Sequence, residues 1–389
     1  MIKKPVIKKP VPKEPAAKKL VAKGSTGKTP ARQDKKPDKK PGKKGAAPLE
    51  VVVVEGNRTQ CNLLRRVLEA EGDMAVTGTA ATAAEAAEVV RARKPAVVTL
   101  DLQIEGGGIE AISQIMGTSP RPVLVLSVAV QGVWADRAVE ALAAGAADVL
   151  PKPVRWDKAA EAELRDRVRA MGRVRLSAAP PATPAVPPPP PAAPAPTGRV
   201  VAMAASTGGP PALARVLSEL GGLEAPVLLV QHLHPDFMGG FVSWLNRMSA
   251  LPVKAARAGE RIKAGTVYVA PGRTHLRLGP AGVLLLDAKP VLLHTPSADV
   301  LFSSVAHAAG PGAVGVLLTG MGADGAAGLL DIKEAGGAAI AQDEATSAVF
   351  GMPNAALRVG AAHEGVALER IASAVRSAVA KSPRRRAAR

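Results

Sequence analysis

From Val51 onward the chain alternates short, wholly apolar runs with longer stretches in which apolar residues return every three or four positions. A short apolar run bounded by turn residues reads as a strand covered on both faces, and the 3.6-residue period reads as a helix lying against it. In the first half this predicts strands at 51–54, 74–78, 97–100, 123–126 and just before Pro151, with helices near 59–71, 83–93, 108–116 and 134–144. Five βα units in series fold as a parallel, doubly wound α/β sheet. After Arg199 the alternation resumes. Strands are expected at 200–205, 227–231, 266–270, 313–319 and 338–342, helices at 210–220, 237–248, 299–309 and up to Ala335, and a hairpin turning at 279–282. This half reads as a second α/β domain with a parallel sheet.

Around these two patterns the texture differs. Residues 1–49 repeat Lys-Lys-Pro in many variants; such a segment cannot bury enough apolar surface to offset its ordering entropy and is expected to be disordered. Residues 156–176 set Lys158, Glu161, Glu163, Arg165, Asp166, Arg167 and Arg169 at helical spacing, which reads as a largely exposed helix. Residues 180–196 contain ten prolines and read as an extended spacer, roughly 50 Å long at ~3.1 Å per residue. The expected order is a basic tail (1–49), an α/β domain (50–156), a charged helix with a proline-rich linker (157–198), a second α/β domain (199–380) and a basic tail (381–389).

Charge follows that division. Of the net +18, residues 1–49 carry +13 and residues 381–389 carry +5, so the stretch between them is neutral. An acidic partner or nucleic acid is therefore a candidate for the N-terminal tail and not for the folded domains. An aromatic content of 2% suits layered helix-on-sheet packing better than an aromatic-rich base-stacking platform. The single cysteine, Cys61, excludes an internal disulfide and fits a reducing cytoplasm. No uncharged apolar run reaches membrane-spanning length, and the first residues lack a signal-peptide core, so a cytoplasmic protein with no membrane insertion is expected. Gly24-Ser25-Thr26-Gly27-Lys28-Thr29 echoes a phosphate-binding loop, but Ala22 stands where its first glycine belongs and no strand precedes it.

In the first domain Glu55, Asp101 and Lys152 stand at predicted strand ends. The carboxyl edge of a parallel sheet is where ligands bind, and two acids with a lysine suit a divalent cation and a phosphoryl group. On these residues the domain resembles a response-regulator receiver, a flavodoxin-like fold. The resemblance implies that Asp101 accepts the phosphoryl group, that Ser127 is the switch hydroxyl, and that Glu55 and Lys152 support the site around Mg²⁺. Gly56 stands where a second acid is customary, the loop after Asp101 is short and lacks Met-Pro-Gly, and Val149 replaces an aromatic residue. Two readings stay open: a phosphorylated receiver, and a receiver kept as a docking module.

In the second domain three reactive side chains end three separate predicted strands: Ser206, His232 and Asp324. A parallel sheet brings such ends to one rim, where a nucleophile, a general base and its orienting carboxylate meet. Acyl transfer without a cofactor or a metal is the chemistry they point to, with backbone amides near Ser206 or Met321 for the oxyanion. The chain order Ser, His, Asp and the lack of a Gly-x-Ser-x-Gly elbow separate this domain from the α/β-hydrolases.

A closer resemblance rests on Ala205-Ser206-Thr207-Gly208-Gly209-Pro210, Gln231-His232, Ala270-Pro271-Gly272-x-x-His275, Pro296-Ser297-x-Asp299-Val300-Leu301-Phe302, Leu318-Thr319-Gly320-Met321-Gly322-x-Asp324-Gly325 and Phe350-Gly351-Met352-Pro353. These are similar to motifs of the chemotaxis-type (CheB-type) protein-glutamate methylesterases. The resemblance implies a doubly wound methylesterase domain that hydrolyses glutamyl methyl esters on methyl-accepting chemoreceptor proteins, in many members also deamidating receptor glutamines. It implies a triad of Ser206, His232 and Asp324 with Thr207 beside the nucleophile. It also implies a receiver that restrains the enzyme until a chemotaxis histidine kinase leads to its phosphorylation. His234 and Thr295 depart from the family's usual proline and arginine.

Other readings remain. His232, His234 and His275 include a His-x-His spacing suited to a metal, though this leaves Ser206 and Asp324 unexplained. A scaffold with both chemistries lost is a second, and an active esterase with a docking-only receiver a third. His294, His307 and His363 read as surface or packing residues.

Overall fold

The computed structural model describes residues 47–128, 133–174, 198–288 and 294–381; residues 1–46 of the tail expected over 1–49, the proline-rich run and the segment 382–389 lie outside the described residues. The first domain runs β1 (Leu49–Val54), α1 (Arg58–Glu69), β2 (Met74–Ala80), α2 (Ala83–Arg93), β3 (Val97–Asp101), α3 (Gly108–Thr118), β4 (Val123–Val128), α4 (Val133–Ala143), β5 (Asp148–Lys152) and α5 (Lys158–Met171). Its sheet has the order β2-β1-β3-β4-β5, and every pair is parallel. Short polar side chains start the helices: Asn57 accepts from the amides of Thr59 and Gln60, Thr82 from Glu85 and Asp157 from Ala160.

One expectation is corrected here. The charged helix is not a largely exposed linker. As α5 it buries Leu164, Val168 and Met171 with Val51, Val53 and Leu124 and closes one face of the first sheet. Its charges fall on the outer face, and the stem of Arg165 lies along the inner one, as amphipathic side chains do.

The second domain contains β6 (Val200–Ala205), α6 (Gly209–Ser218), β7 (Val227–Gln231), a 3₁₀ turn at Pro235–Phe237, α7 (Met238–Met248), β8 (Val253–Ala255) and β9 (Val267–Val269). There follow the antiparallel hairpin β10 (His275–Leu278) and β11 (Leu284–Asp287), then α8 (Ala298–Ala309), β12 (Ala313–Leu317), α9 (Ala326–Glu334), β13 (Ala338–Gln342), α10 (Met352–Arg358), β14 (Gly365–Val366) and α11 (Leu368–Ala380). The main sheet is parallel with the order β14-β13-β12-β6-β7-β9-β8. Every residue of central β6 is buried. Alternation sends Val201, Met203 and Ala205 into one layer with residues of α6, α7 and α11, and Val200, Ala202 and Ala204 into the other with residues of α8, α9 and α10. Chain order reverses between β6 and β12, which opens a crevice at their carboxyl ends. β8, α10, β14 and α11 add to the expected pattern; the two strands are only three and two residues long, too short to show as apolar runs.

The two domains pack against each other. Val139 of α4 joins the cluster built from α6 and α7, while Phe237 joins the first domain's core beside Leu142 and Val149. The Gly208 amide, two residues past Ser206, donates to the Ala147 carbonyl of the first domain at 3.3 Å.

Candidate active site

Ser206 directly follows β6. Its amide donates to the Thr319 carbonyl at 3.0 Å, and its carbonyl accepts from Gln231 Nε2 at 2.9 Å, so the residue is tied to the ends of β12 and β7 at once. Gly208 takes a left-handed φ of 72°, and helix α6 starts at Gly209. A side chain at Gly209 would lie 2.2 Å from Gln231 Oε1, and one at Gly320 would lie 2.7 Å from the Ser206 Cβ. Only glycine lets these turns close around the nucleophile.

His232 follows β7, one strand over, with its amide on the Ala205 carbonyl at 3.0 Å. Its Nε2 meets Asp324 Oδ2 at 2.8 Å. Its Nδ1 is buried without a partner among the described residues, and this leaves it as the ring atom for the Ser206 hydroxyl. The bond between Ser206 and His232 is itself not formed, a common state of a resting hydrolase site.

Asp324, in the loop after β12, is the most constrained of the three. Ser297 Oγ donates to Oδ1 at 2.8 Å, the Ala298 amide to Oδ2 at 2.7 Å and the Asp299 amide to Oδ1 at 3.1 Å. The carboxylate thus sits on the N-terminus of α8, where free amides and the helix dipole favour negative charge. Burial by itself would raise the Asp324 pKa, but His232 and these amides outweigh it and hold the carboxyl well below the ordinary carboxylate range. Asp299 moves the other way, raised by burial and by the Asp324 charge.

The remaining expected residues fall as follows. Thr207 is buried, and its Oγ1 has no partner among the described residues. Met321 stands partly exposed in the loop that carries Asp324. His275 does not join His232 and His234 in a metal cluster: its Nδ1 accepts from the Ser297 amide at 3.1 Å, while His234 Nδ1 lies 3.5 Å from Asp236 Oδ2. Among the described residues no group of three or more His, Cys, Asp or Glu side chains is placed to hold a metal ion.

His294 lies against the site. As expected of a surface or packing residue it is exposed, and the packing is specific: its ring stacks on that of His232, with centroids 4.7 Å apart and planes 16° from parallel. Ser297 and His275 had stood in the motifs without roles. The sequence signal for Ser297 is a serine directly ahead of a helical apolar run, which marks an N-cap. His294 carries no comparable local signal.

At the carboxyl edge of the first sheet, Glu55, Asp101 and Lys152 do meet. Lys152 Nζ bridges Glu55 Oε2 at 2.6 Å and Asp101 Oδ2. The other carboxylate oxygens accept from the amides of Asn57 and Gln103. Ser127 is buried at the end of β4, in register with Pro151 of β5. An ammonium thus lies between the two carboxylates, and Gly56 supplies no third acid beside them.

Fold and site together define a receiver-type domain packed on a doubly wound serine hydrolase. The comparisons agree. Residues 51–164 match the family model for the response regulator receiver domain, and residues 201–375 match that for the CheB methylesterase. The protein-glutamate methylesterase/protein-glutamine glutaminase 3 of Anaeromyxobacter dehalogenans is 44% identical over 83% of this chain and 97% of its own length. The protein-glutamate methylesterase/protein-glutamine glutaminase 4 of Myxococcus xanthus is 41% identical over 85% of this chain and 97% of its own. The crystal structure of the Thermotoga maritima CheB methylesterase catalytic domain aligns with 46% of this chain and 98% of its own, at 34% identity and a TM-score of 0.44. The chain belongs to the CheB methylesterase family, with an N-terminal receiver domain.

Proposed function

We propose that this chain is a protein-glutamate methylesterase and protein-glutamine glutaminase of chemotaxis adaptation. It acts in the cytoplasm on glutamyl methyl esters, and on glutamine side chains, of methyl-accepting chemoreceptor proteins. One observation carries the reading: Ser206, His232 and Asp324 sit on one sheet rim, with the carboxylate locked on α8 and the imidazole locked on the carboxylate.

The mechanism follows from that arrangement. His232 Nδ1 takes the hydroxyl proton as Ser206 Oγ attacks the ester carbonyl carbon; Asp324 stabilises the resulting imidazolium. Backbone amides near Ser206 or Met321 hold the oxyanion. Methanol departs with the proton from His232, or ammonia when the substrate is a glutamine. Water, deprotonated in turn by His232, then releases the glutamate side chain and restores Ser206. No step needs a cofactor.

The receiver is the regulator in this reading, and the Ala147–Gly208 contact beside the nucleophile supports a restraint on the enzyme. A chemotaxis histidine kinase is its proposed partner, with Asp101 as phosphoacceptor. Because Lys152 already bridges Glu55 and Asp101, the receiver is proposed to signal mainly by docking. The N-terminal basic tail is proposed to hold an acidic partner.

The direct test is release of labelled methanol from a methylated receptor cytoplasmic fragment, comparing wild type with Ser206→Ala, with and without a phosphodonor. Release that vanishes in Ser206→Ala supports the esterase; equal release by both, or none by the wild type, removes it. A donor-independent rate supports the docking receiver, and strong stimulation by the donor favours a phosphorylated one.

A further inference from the structure

Among the described residues, the ring of the catalytic histidine is fastened by a single hydrogen bond. Nε2 is fixed on Asp324 Oδ2 at 2.8 Å, and Nδ1 has no partner among the described residues. One hydrogen bond fixes the position of one ring atom and leaves the plane of the ring free to tilt about it. Tilting moves the Nδ1 lone pair, which has to point at the Ser206 hydroxyl, and a misplacement of ~1 Å in such a site costs on the order of 100-fold in rate.

The ring of His294 lies over that plane, 4.7 Å from centroid to centroid and 16° from parallel. Such a spacing falls within the attractive range for aromatic pairs. His294 also belongs to the short segment that holds the carboxylate. Three residues on, Ser297 Oγ donates to Asp324 Oδ1, and the next amide, that of Ala298, donates to Oδ2. The segment 294–298 thus positions both partners of the charge pair, the carboxylate by hydrogen bonds and the imidazole by stacking. His294 is itself exposed, whereas the His232 side chain is only 11% exposed. The outer ring shields the inner one from water.

A stack of two imidazoles works only if the outer one stays neutral while the inner one takes up a proton. The face of the His294 ring that packs on His232 is removed from water although the residue is exposed, and this desolvation pushes its pKa down, with the neighbouring His232 acting further the same way. Near neutral pH the outer ring therefore carries no charge to oppose the imidazolium.

We infer that His294 is a positioning residue for the hydrolysis: its stacked ring sets the plane of His232 and so aims Nδ1 at Ser206. The inference rests on the hydrolase reading of Ser206, and its test keeps the two apart by using no receptor. A fluorophosphonate, which forms a phosphorus–oxygen bond to the activated serine and releases fluoride, is added to the full chain. The rate of modification at Ser206 is followed by mass spectrometry for wild type, Ser206→Ala, His294→Ala and His294→Phe. The expected pattern is labelling of Ser206 in the wild type, slowed about 10- to 100-fold in His294→Ala. In His294→Phe, where a flat ring stacks but cannot titrate or hydrogen-bond, most of the rate returns. Wild-type labelling in His294→Ala, or equal loss in the Ala and Phe variants, overturns the positioning role. Labelling that survives Ser206→Ala, or is absent from the wild type, overturns the hydrolase reading and the inference with it.

Discussion

Asp324 accepts four hydrogen bonds, from Ser297 Oγ, two backbone amides and His232 Nε2. Bonds to an ionised group contribute about 1.5–3 kcal/mol each, so removing one loosens the carboxylate without abolishing it. Ser297→Ala removes that bond together with the cap of α8. The expected result is a fall of about tenfold in kcat for ester hydrolysis with KM little changed, since the lost contact touches the charge pair and not the substrate. A larger change in KM than in kcat would place Ser297 in substrate binding instead. His294 also sets a pH dependence. Burial lowers the pKa of His294, and His232 and the Arg167 guanidinium add to this while Asp324 opposes it. The unfolded chain, with its histidines near 6.5, then binds more protons than the folded one. This stability is full above that value and is lost as pH falls through the folded value. A urea midpoint that rises as pH is raised toward and past about 6.5, less steeply in His294→Phe, is expected.

Among the elements, the central strands were the most legible, because parallel strands covered on both faces are written as unbroken apolar runs; β7 and β13 have the expected bounds. Ser206 and His232 were visible because each directly follows such a run. α5 was misread because seven charged residues outweighed Leu164, Val168 and Met171 on its buried stripe. His294 was invisible for a different reason. It lies outside any periodic element, and its role comes from the turn that brings it over His232, which no local pattern encodes. The loop after β1 supports a further prediction. Gly56 has no positive φ, and a Cβ there would meet its nearest neighbour, the Ala81 carbonyl oxygen, at 3.6 Å, so Asp is accommodated. Gly56→Asp adds the missing acid beside Glu55 and competes for Lys152. Titration calorimetry with Mg²⁺ is expected to show little heat for the wild type and measurable binding for the variant, and equal strong binding by both would mean that Lys152 yields to the cation unaided.

At the scale of the whole molecule, the receiver's α4 is an element shared by both domains. Ala138, Ala141 and Leu142 face the receiver's own core, while Val139, fully buried, faces the layer formed by α6 and α7 of the catalytic domain. The same contact brings the Ala147 carbonyl onto the Gly208 amide, so a receiver that stays docked also engages the turn that carries the nucleophile. A charge at position 139 tests this coupling without disturbing the receiver's core. A carboxylate buried there without a partner costs several kcal/mol, more than one domain contact contributes, and the face separates. Val139→Asp in the full chain is therefore expected to raise the basal rate of methanol release, with or without a phosphodonor. The circular dichroism spectrum is expected to be unchanged, since both cores remain intact. A basal rate equal to or below that of the wild type would show that the docked receiver supports the Ser206 turn instead of restraining it, and the regulatory half of the proposed function would have to be reversed.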